Sequence, residues 1–248
     1  MTTPSPPALS LRAIHKTFGG VIAIEEFNLD VHAGEIVALV GDNGAGKSTL
    51  IKIVSGVEPA TSGEILIDGR AADLRTPAAS RAHGIQVVYQ DLALAERQPV
   101  YMNLFLGGEL ASPWLGKLHR RRMIAETERL MRDLDVRIPS ARAIVRNLSG
   151  GQRQGIAIAR ATHWASKLVL MDEPTAALGI AETERVERII VGLKARNLAI
   201  VLVSHNLDQV FRLADRICVL RRGRQIGIRE TKTVSRNEIV AMITGLAA

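Results

Sequence analysis

Several kinds of residue and segment are scarce in this chain, and each shortage excludes a class of protein. There is one cysteine among 248 residues, Cys218, inside an apolar run typical of a buried strand, so a disulfide framework is excluded and a reducing compartment is expected. Aromatic residues make up 3% of the chain and hydrophobic residues 47%, which suits an α/β core of aliphatic side chains. The longest strand-like run, 198–203, is far shorter than the ~18 apolar residues of a membrane span, so we expect a soluble chain.

The excess of positive charge does not indicate a nucleic-acid-binding protein. The formal net charge is +7, but the cations are dispersed, and only 120–122 and the group Arg221, Arg222 and Arg224 are locally dense. No aromatic residues alternate with these cations to stack on bases. We therefore expect no direct binding of nucleic acid.

Two kinds of strand pattern point to an α/β fold. Short alternating or apolar runs at 9–14, 26–31 and 64–67 predict an antiparallel β edge, the last closing at the turn dipeptide Asp68-Gly69. Other runs are more continuously apolar, as in parallel strands covered on both faces, and they lie at 36–40, 85–89, 168–171 and 198–203. Polar groups follow each of these runs, so one edge of the sheet should collect them.

The middle of the chain has helical rather than strand character. Apolar and small residues recur there at helical spacing, with charged residues on the opposite face: Met123, Thr127, Leu130, Met131 and Leu134. We predict a helical insertion over 91–160 in a core formed by 9–90 and 161–248. Residues 1–8 lack the basic and apolar regions of a secretory signal and are expected to be a loose tail.

The run after the first continuous strand fits a phosphate-binding loop at every fixed position. The pattern G-x-x-x-x-G-K-[ST] lies at 41–48, directly after 36–40. Glycines let backbone N–H groups turn toward phosphates, and the following helix presents its N-terminus to the same anion. The candidate nucleotide-binding residues of this loop are Gly41, Asn43, Gly44, Ala45, Gly46, Lys47, Ser48 and Thr49.

Two adjacent acids, Asp172 and Glu173, end the apolar run at 168–171. Removing both carboxylates from bulk water is costly unless they bind a cation or a water molecule at that place. Taken alone, the pair also fits an ordinary strand end. Beside a phosphate loop it indicates a functional arrangement.

A second motif, Leu148-Ser149-Gly150-Gly151-Gln152, follows in the second half of the chain. Together with the phosphate loop, this run resembles the ATP-binding-cassette (ABC) ATPases, whose signature is LSGGQ. The resemblance covers about residues 9–245. It implies an α/β P-loop NTPase core with a mostly parallel sheet, an antiparallel β edge and a helical subdomain, within one ABC ATPase domain over 9–248.

The resemblance assigns roles in ATP hydrolysis to the phosphate loop and the acid pair. Lys47 is expected to reach the β- and γ-phosphates, and the Ser48 hydroxyl to ligate Mg²⁺. Asp172 is expected to hold Mg²⁺, largely through water. Glu173 is expected to be the base that polarises the attacking water.

Three further residues match family positions near the nucleotide. Gln90, at the end of the second parallel strand, matches a ligand of Mg²⁺ and water that links the core to the helical part. His205, after the last core strand, matches the histidine that contacts the γ-phosphate. Phe18 matches the aromatic residue that stacks on adenine, with core packing left open as the alternative.

In the family the signature donates to the γ-phosphate held by the opposing subunit. The residues concerned are Ser149, Gly150, Gly151 and Gln152, at the start of a helix predicted from about 152 to 161. Because the chain has one phosphate loop and one signature, two copies arranged head to tail would enclose two ATP molecules. One position departs from the pattern, since Gly179 stands where many members have an aspartate that crosses the dimer interface.

Several stretches resemble the ATPases of bacterial sugar importers of the ribose, xylose and fructose group, among them 41–52, 88–94, 103–107 and 171–179. The resemblance is closest to the single-cassette, fructose-type ATPases. It implies a peripheral subunit at the cytoplasmic face of the inner membrane. This subunit would drive a separate permease, to which a periplasmic or extracellular sugar-binding protein delivers the sugar. The alternatives are another cargo, a soluble ABC ATPase acting on nucleic acid or the ribosome, and an ATP-gated binding module without turnover.

The segment 91–108 carries more apolar residues than a solvated loop needs, namely Leu92, Leu94, Val100, Met102, Leu104 and Phe105. In the family, a groove behind this segment receives a short cytoplasmic helix of the permease. The alternative is that these residues pack the helical insertion.

Overall fold

The structure is a computed structural model that describes residues 5–112, 116–176 and 178–246. Its strands form one ten-stranded sheet in the order β5-β4-β1-β2-β10-β9-β3-β8-β7-β6. Helices lie between the strands, so the α/β fold predicted from the sequence is confirmed. Of the predicted tail, 1–8, residues 1–4 lie outside the described residues.

The strands are β1 (Leu9–Phe18), β2 (Val21–Val31), β3 (Ile36–Val40), β4 (Ser62–Ile67), β5 (Arg70–Ala71), β6 (Ile85–Val88), β7 (Leu168–Asp172), β8 (Ala199–Val203), β9 (Arg216–Arg221) and β10 (Arg224–Glu230). The α-helices are α1 (Lys47–Val54), α2 (Pro77–Ala82), α3 (Val100–Leu104), α4 (Arg120–Asp133), α5 (Gly150–Trp164), α6 (Ile180–Ala195), α7 (Leu207–Leu213) and α8 (Arg236–Thr244). A 3₁₀ turn spans Val145–Asn147.

The antiparallel edge consists of β1 with β2 on one side and β4 on the other. Leu9 lies opposite Val31 in β2 and opposite Ile67 in β4. Strand β4 continues into β5 through Asp68 and Gly69, both at positive φ (49° and 75°) as the tightest hairpin turns require. The predicted antiparallel edge is confirmed, although β1 and β2 are longer than their predicted runs.

The parallel part of the sheet is built from strands buried on both faces. Strand β3 pairs in parallel with β8 and β9, and β8 pairs in parallel with β7. Every residue of β3 and of β8 is buried. The continuous apolar runs at 36–40, 168–171 and 198–203 therefore do form parallel strands, and their carboxyl ends lie at one edge. Cys218, in β9, is buried and unbridged.

The chain divides into two compact units. The first comprises the residues up to Val87, Ala165–Glu173 and those from Leu193 onward, and the second comprises Val88–Trp164 and Pro174–Gly192. The predicted helical part, 91–160, lies within the second unit. That unit also takes in 174–192, which the sequence analysis placed with the core. Glu182, in the first turn of α6, lies against Gly151 in the first turn of α5.

The second unit is organised around three helices. On α4 the side chains of Met123, Thr127 and Met131 are buried at helical spacing, as predicted. Leu104, in α3, and the residue after it, Phe105, are 0% and 1% exposed. These residues close a core among α3, α4 and α5. Within the described residues, no helix is both long and apolar enough to cross a bilayer.

Strand β1 bulges toward β4, and the bulge constrains one glycine. A Cβ at Gly63, where φ is +103°, would lie 2.6 Å from the Ala13 carbonyl oxygen and 2.8 Å from the Ile14 Cα. Gly192, in α6, has no atom within 4 Å of such a Cβ and no positive φ. The same substitution should therefore have opposite effects at the two positions.

We predict that Gly63→Ala lowers the free energy of unfolding by more than about 1 kcal/mol, because alanine is strained at positive φ and meets backbone. Gly192→Ala should raise it by roughly 0.5–1 kcal/mol, because alanine restricts the unfolded chain and favours helix. Urea unfolding of both variants measures the difference. Equal effects of the two substitutions would contradict the described bulge.

Candidate functional site

The phosphate loop, residues 41–49, connects β3 to α1 and has its backbone held close to β2. Gly46 has φ +107°, and a Cβ there would lie 2.4 Å from Ile24 Cδ1 and 2.7 Å from the Ala23 carbonyl oxygen. Gly46 caps α1 without any side-chain hydrogen bond, so the first amides of the helix are left for an external acceptor. An anion is the natural acceptor at such a helix start.

Lys47 lies over this loop. Its Nζ donates hydrogen bonds to the carbonyl oxygens of Gly41, at 2.6 Å, and Asp42, at 2.9 Å. Burial lowers the pKa of Lys47 from its ordinary value, while the carboxylates of Glu173, Asp172 and Asp42 act in the opposite direction. The ammonium group is thus within electrostatic range of the acid pair, as a phosphate-binding lysine at this edge should be.

Asp172 is the last residue of β7, and its environment disfavours its charge. Burial raises the pKa of Asp172, and the neighbouring Glu173 carboxylate raises it further. Lys47 and a hydrogen bond with the Ser48 side chain act against this rise. The Ser48 hydroxyl and the Asp172 carboxylate lie together, and nearby positive charge does not fully compensate the carboxylate. Oxygen ligands of this kind suit Mg²⁺.

A site of this kind needs few protein ligands. Mg²⁺ is usually bound through one or two carboxylates together with water and substrate phosphates. Within the described residues, no cluster of three or more His, Cys, Asp or Glu side chains could hold a metal ion by itself. Ser48 and Asp172 are therefore the groups of this unit that fit the ion.

Glu173 follows β7 in a strained backbone conformation. Its φ is +52°, in the left-handed region that costs a non-glycine residue of order 1–3 kcal/mol. Its backbone N–H donates to the Val203 carbonyl oxygen at 2.9 Å, which ties it to the end of β8. Strain of this kind, held in place by a neighbouring strand, is typical of functional positions.

The Glu173 carboxylate meets His205. The distance from Glu173 Oε2 to His205 Nδ1 is 2.7 Å, and the side chains are 15% and 74% exposed. The loop that carries His205 is fixed on both sides: Asn206 caps α7 through the Gln209 N–H, and Ser204 Oγ donates to Gln209 Oε1 at 3.0 Å. The Glu173 carboxylate is thus largely shielded from solvent, and the His205 imidazole beside it is accessible.

Phe18 stands at the end of β1, beside the hairpin to β2, and is 46% exposed. The ring is not part of the core, which removes the packing alternative. Lys16 Nζ lies 4.7 Å from the ring centroid. In the phosphate loop itself Ala45 is buried, Asn43, Gly44 and Ser48 are exposed, and Thr49 is half-buried.

The signature segment, residues 148–152, begins α5 as a capping box. Ser149 Oγ accepts a hydrogen bond from the Gln152 N–H at 3.2 Å, and Gln152 Oε1 accepts one from the Ser149 N–H at 2.9 Å. Gln152 Nε2 also donates to the Arg137 carbonyl oxygen at 2.9 Å. The Gln152 side chain therefore holds the helix start in shape. The helix begins at Gly150, two residues earlier than predicted.

Glu182, in the first turn of α6, lies against the signature. A Cβ at Gly151 would be 2.4 Å from Glu182 Cγ, whereas one at Gly150 would meet nothing closer than 3.8 Å. A Cβ at Gly179 would be 2.8 Å from Glu182 Oε2. The glycine that departs from the family pattern therefore leaves room for the Glu182 carboxylate.

The predicted residues fall into two groups, one on each compact unit. Lys47, Ser48, Asp172, Glu173 and His205 lie together on the first unit, as the sequence predicts. The signature segment and Gln90, which is exposed beyond the end of β6, lie on the second.

Sequence reasoning missed two side chains, and only one of them leaves a signal in the sequence. Lys16 lies beside Phe18, and residues two apart in a strand share a face, so their contact could have been predicted. Glu182 lies against Gly151 and Gly179. Nothing in the local sequence indicates that contact.

Comparison with known proteins finds relatives whose descriptions agree with one another. A family model described as ABC transporter matches residues 24–176. The xylose/arabinose import ATP-binding protein of Sulfolobus acidocaldarius is 41% identical over 239 residues, which cover 96% of this chain and 94% of that protein. The fructose import ATP-binding protein of Rhizobium meliloti is 42% identical over 245 residues, with coverage of 96% and 94%.

A solved structure agrees with these relatives. It shows the ADP conformation of an ATP-binding cassette of an ABC transporter, with a TM-score of 0.81, 25% identity, and coverage of 96% of this chain and 98% of that one. The family model spans more than half of the chain, and both relatives align over nearly its whole length. This chain belongs to the ABC transporter family, as one of its ATP-binding cassettes.

Proposed function

We propose that this chain is the ATP-hydrolysing subunit of an ABC importer for a monosaccharide. The names of the two relatives, which are a xylose/arabinose and a fructose import ATP-binding protein, support this cargo class. The single observation that carries the hydrolytic role is the shielded Glu173 carboxylate, 2.7 Å from His205 and within electrostatic range of Lys47.

The proposed reaction is hydrolysis of the bond between the β- and γ-phosphates of ATP by water. Phosphoryl transfer depends mostly on positioning and on stabilising charge, with little covalent chemistry for the protein. Lys47 would bind the β- and γ-phosphates, in exchange for its bonds to the loop carbonyls. Glu173 would orient the attacking water and accept its proton, and His205 would contact the γ-phosphate.

Mg²⁺, held by Ser48 and Asp172, would neutralise charge on the phosphate oxygens. The raised pKa of Asp172 favours this assignment, because a cation would offset the repulsion from Glu173. The assignment of Gln90 to the same ion rests on resemblance alone and stays a prediction.

The signature is proposed to act on the ATP bound by a second copy of the chain. The capped start of α5 presents backbone amides and the Ser149 hydroxyl, which suit a phosphate. Since the chain has one phosphate loop and one signature, a head-to-tail homodimer would complete two sites. Gln152 would contribute by holding the cap.

The membrane partner is proposed to be a separate permease, reached from the cytoplasmic face of the membrane. The permease would receive its cargo from a sugar-binding protein on the other side. In the segment 91–108, Val100, Leu104 and Phe105 are buried, so for these residues the packing alternative applies. Leu92, Leu94 and Met102 are half-buried and stay candidates for the docking surface.

The first prediction concerns turnover. Glu173→Gln should bind MgATP but lose more than about nine-tenths of its hydrolysis, since a carboxylate base contributes ~10²–10⁴-fold in rate. Phosphate release under saturating MgATP measures the loss. Glu64→Gln, an exposed acid on β4, is the matched control and should hydrolyse at the wild-type rate. Retention of most turnover by Glu173→Gln would refute the assignment.

The second prediction concerns the signature. Gly150→Asp places a carboxylate at the helix start, where its Cβ would meet nothing closer than Leu178 Cδ2 at 3.8 Å; there it should repel the partner's γ-phosphate and abolish ATP-dependent dimerisation. ATP binding by the monomer should be unchanged. Gly151→Asp is unsuitable because it would collide with Glu182 of its own chain.

Light scattering after gel filtration measures the fraction of dimer, with Glu173→Gln present in every variant. The control is Gly192→Asp, which adds the same charge at a helical glycine whose Cβ would have no atom within 4 Å, and it should dimerise normally. If Gly150→Asp weakens ATP binding by the isolated subunit as much as it weakens dimerisation, the signature acts within its own chain.

The third prediction concerns the permease. Leu94→Glu should reduce uptake or permease binding while the thermal midpoint of the isolated subunit stays near that of the wild type, because the side chain is only half-buried. Val191→Glu, an equally apolar exposed position on α6, is the control. Uptake that falls only in step with thermal stability would favour packing over docking.

A further inference from the structure

A buried lysine lies against the exposed ring of Phe18. Lys16 is 7% exposed and Phe18 is 46% exposed, and Lys16 Nζ lies 4.7 Å from the ring centroid. A cation at this distance is attracted to the face of an aromatic ring. With Lys16 against one face, the other face is the one left to stack on a base.

Lys16 is itself fixed by the segment that follows α1. Its Nζ donates to the Pro59 carbonyl oxygen at 2.8 Å and to Glu58 Oε2 at 3.3 Å. The Glu58 N–H in turn donates to the Lys52 carbonyl oxygen at 3.1 Å, in the last turn of α1. The ammonium group therefore connects the ring to the end of the helix that begins in the phosphate loop.

A second set of bonds joins the same two segments through Thr61. The Thr17 N–H donates to Thr61 Oγ1 at 3.1 Å, and the Thr61 N–H donates to the His15 carbonyl oxygen at 2.8 Å. Backbone and side-chain contacts therefore hold the end of β1 against 57–61. Of these contacts, the one from Lys16 reaches the ring directly.

We infer that Lys16 is a positioning residue for the base-binding ring. It holds Phe18 at a fixed distance from the phosphate loop, so that adenine and triphosphate are bound together. A lysine kept out of water is costly unless its charge is compensated, and here two oxygen acceptors and the ring compensate it. This inference rests on the proposed role of Phe18 in stacking on adenine.

The test separates binding of the base from binding of the phosphates. The dissociation constants of ATP and of inorganic tripolyphosphate, each with Mg²⁺, are measured by calorimetry for the wild type, Lys16→Met, Phe18→Leu and the double variant. Lys16→Met keeps a side chain of similar length without the charge. Lys52→Met, an exposed lysine of α1 away from the ring, is the matched control.

Phe18→Leu should weaken ATP by about 5- to 100-fold and leave tripolyphosphate unchanged, as expected for loss of a stacking partner. Lys16→Met should weaken ATP by about 2- to 30-fold, the range of a cation over a ring, again without effect on tripolyphosphate. The double variant should bind ATP no more weakly than Phe18→Leu, because Lys16 acts through the ring.

The possible failures are distinguishable. If Phe18→Leu changes ATP and tripolyphosphate equally, the stacking role itself is wrong. If Phe18→Leu weakens ATP selectively but Lys16→Met does not, or if Lys16→Met weakens both ligands equally, the positioning role of Lys16 is wrong. Should Lys16→Met fail to fold, Glu58→Ala decides: a selective loss of ATP affinity supports the inference, and an unchanged ratio of the two constants overturns it.

Discussion

The crowding of charge at the carboxyl end of β7 is the constraint around which the rest of the site is arranged. Asp172 and Glu173 are consecutive carboxylates in a partly buried place, where burial and the neighbouring Glu173 carboxylate raise the pKa of Asp172. Lys47 and the Ser48 hydroxyl, from the start of α1, act against the raised pKa of Asp172, and His205, from just after the end of β8, lies against the Glu173 carboxylate. A parallel sheet makes this possible, because its strand ends collect at one edge.

Backbone geometry also fixes the positions of the phosphate loop and of Glu173. Gly46 lets the phosphate loop pass within contact distance of β2, and because it has no side chain to cap α1, the first amides of that helix are left open. Glu173 adopts a left-handed conformation that the bond to Val203 maintains. The geometry of the site therefore also depends on residues outside it, such as Val203, and we infer the same kind of support from Lys16 for the base.

The sequence was sufficient for features that depend on local pattern and insufficient for those that depend on distant contacts. Apolar patterns located α4 and the strands other than β5 and β10, and the rule that parallel strand ends share an edge placed Lys47 near Glu173. The sequence did not predict the grouping of 174–192 with the helical unit, or the contact of Glu182 with Gly151, because both join segments with no shared pattern. The buried state of Val100 and Phe105 likewise depends on neighbouring helices.

The central claim is that each active site takes its hydrolytic residues from one chain and its signature from the other. Mixing subunits that carry Glu173→Gln with subunits that carry Gly150→Asp tests this claim, since neither variant alone should hydrolyse ATP. In a mixed head-to-tail dimer, one site combines an intact Glu173 with an intact signature, so the mixture should recover phosphate release. A mixed dimer, detected by light scattering, that is as inactive as its two components would contradict the account, because it would mean that each chain depends on its own signature.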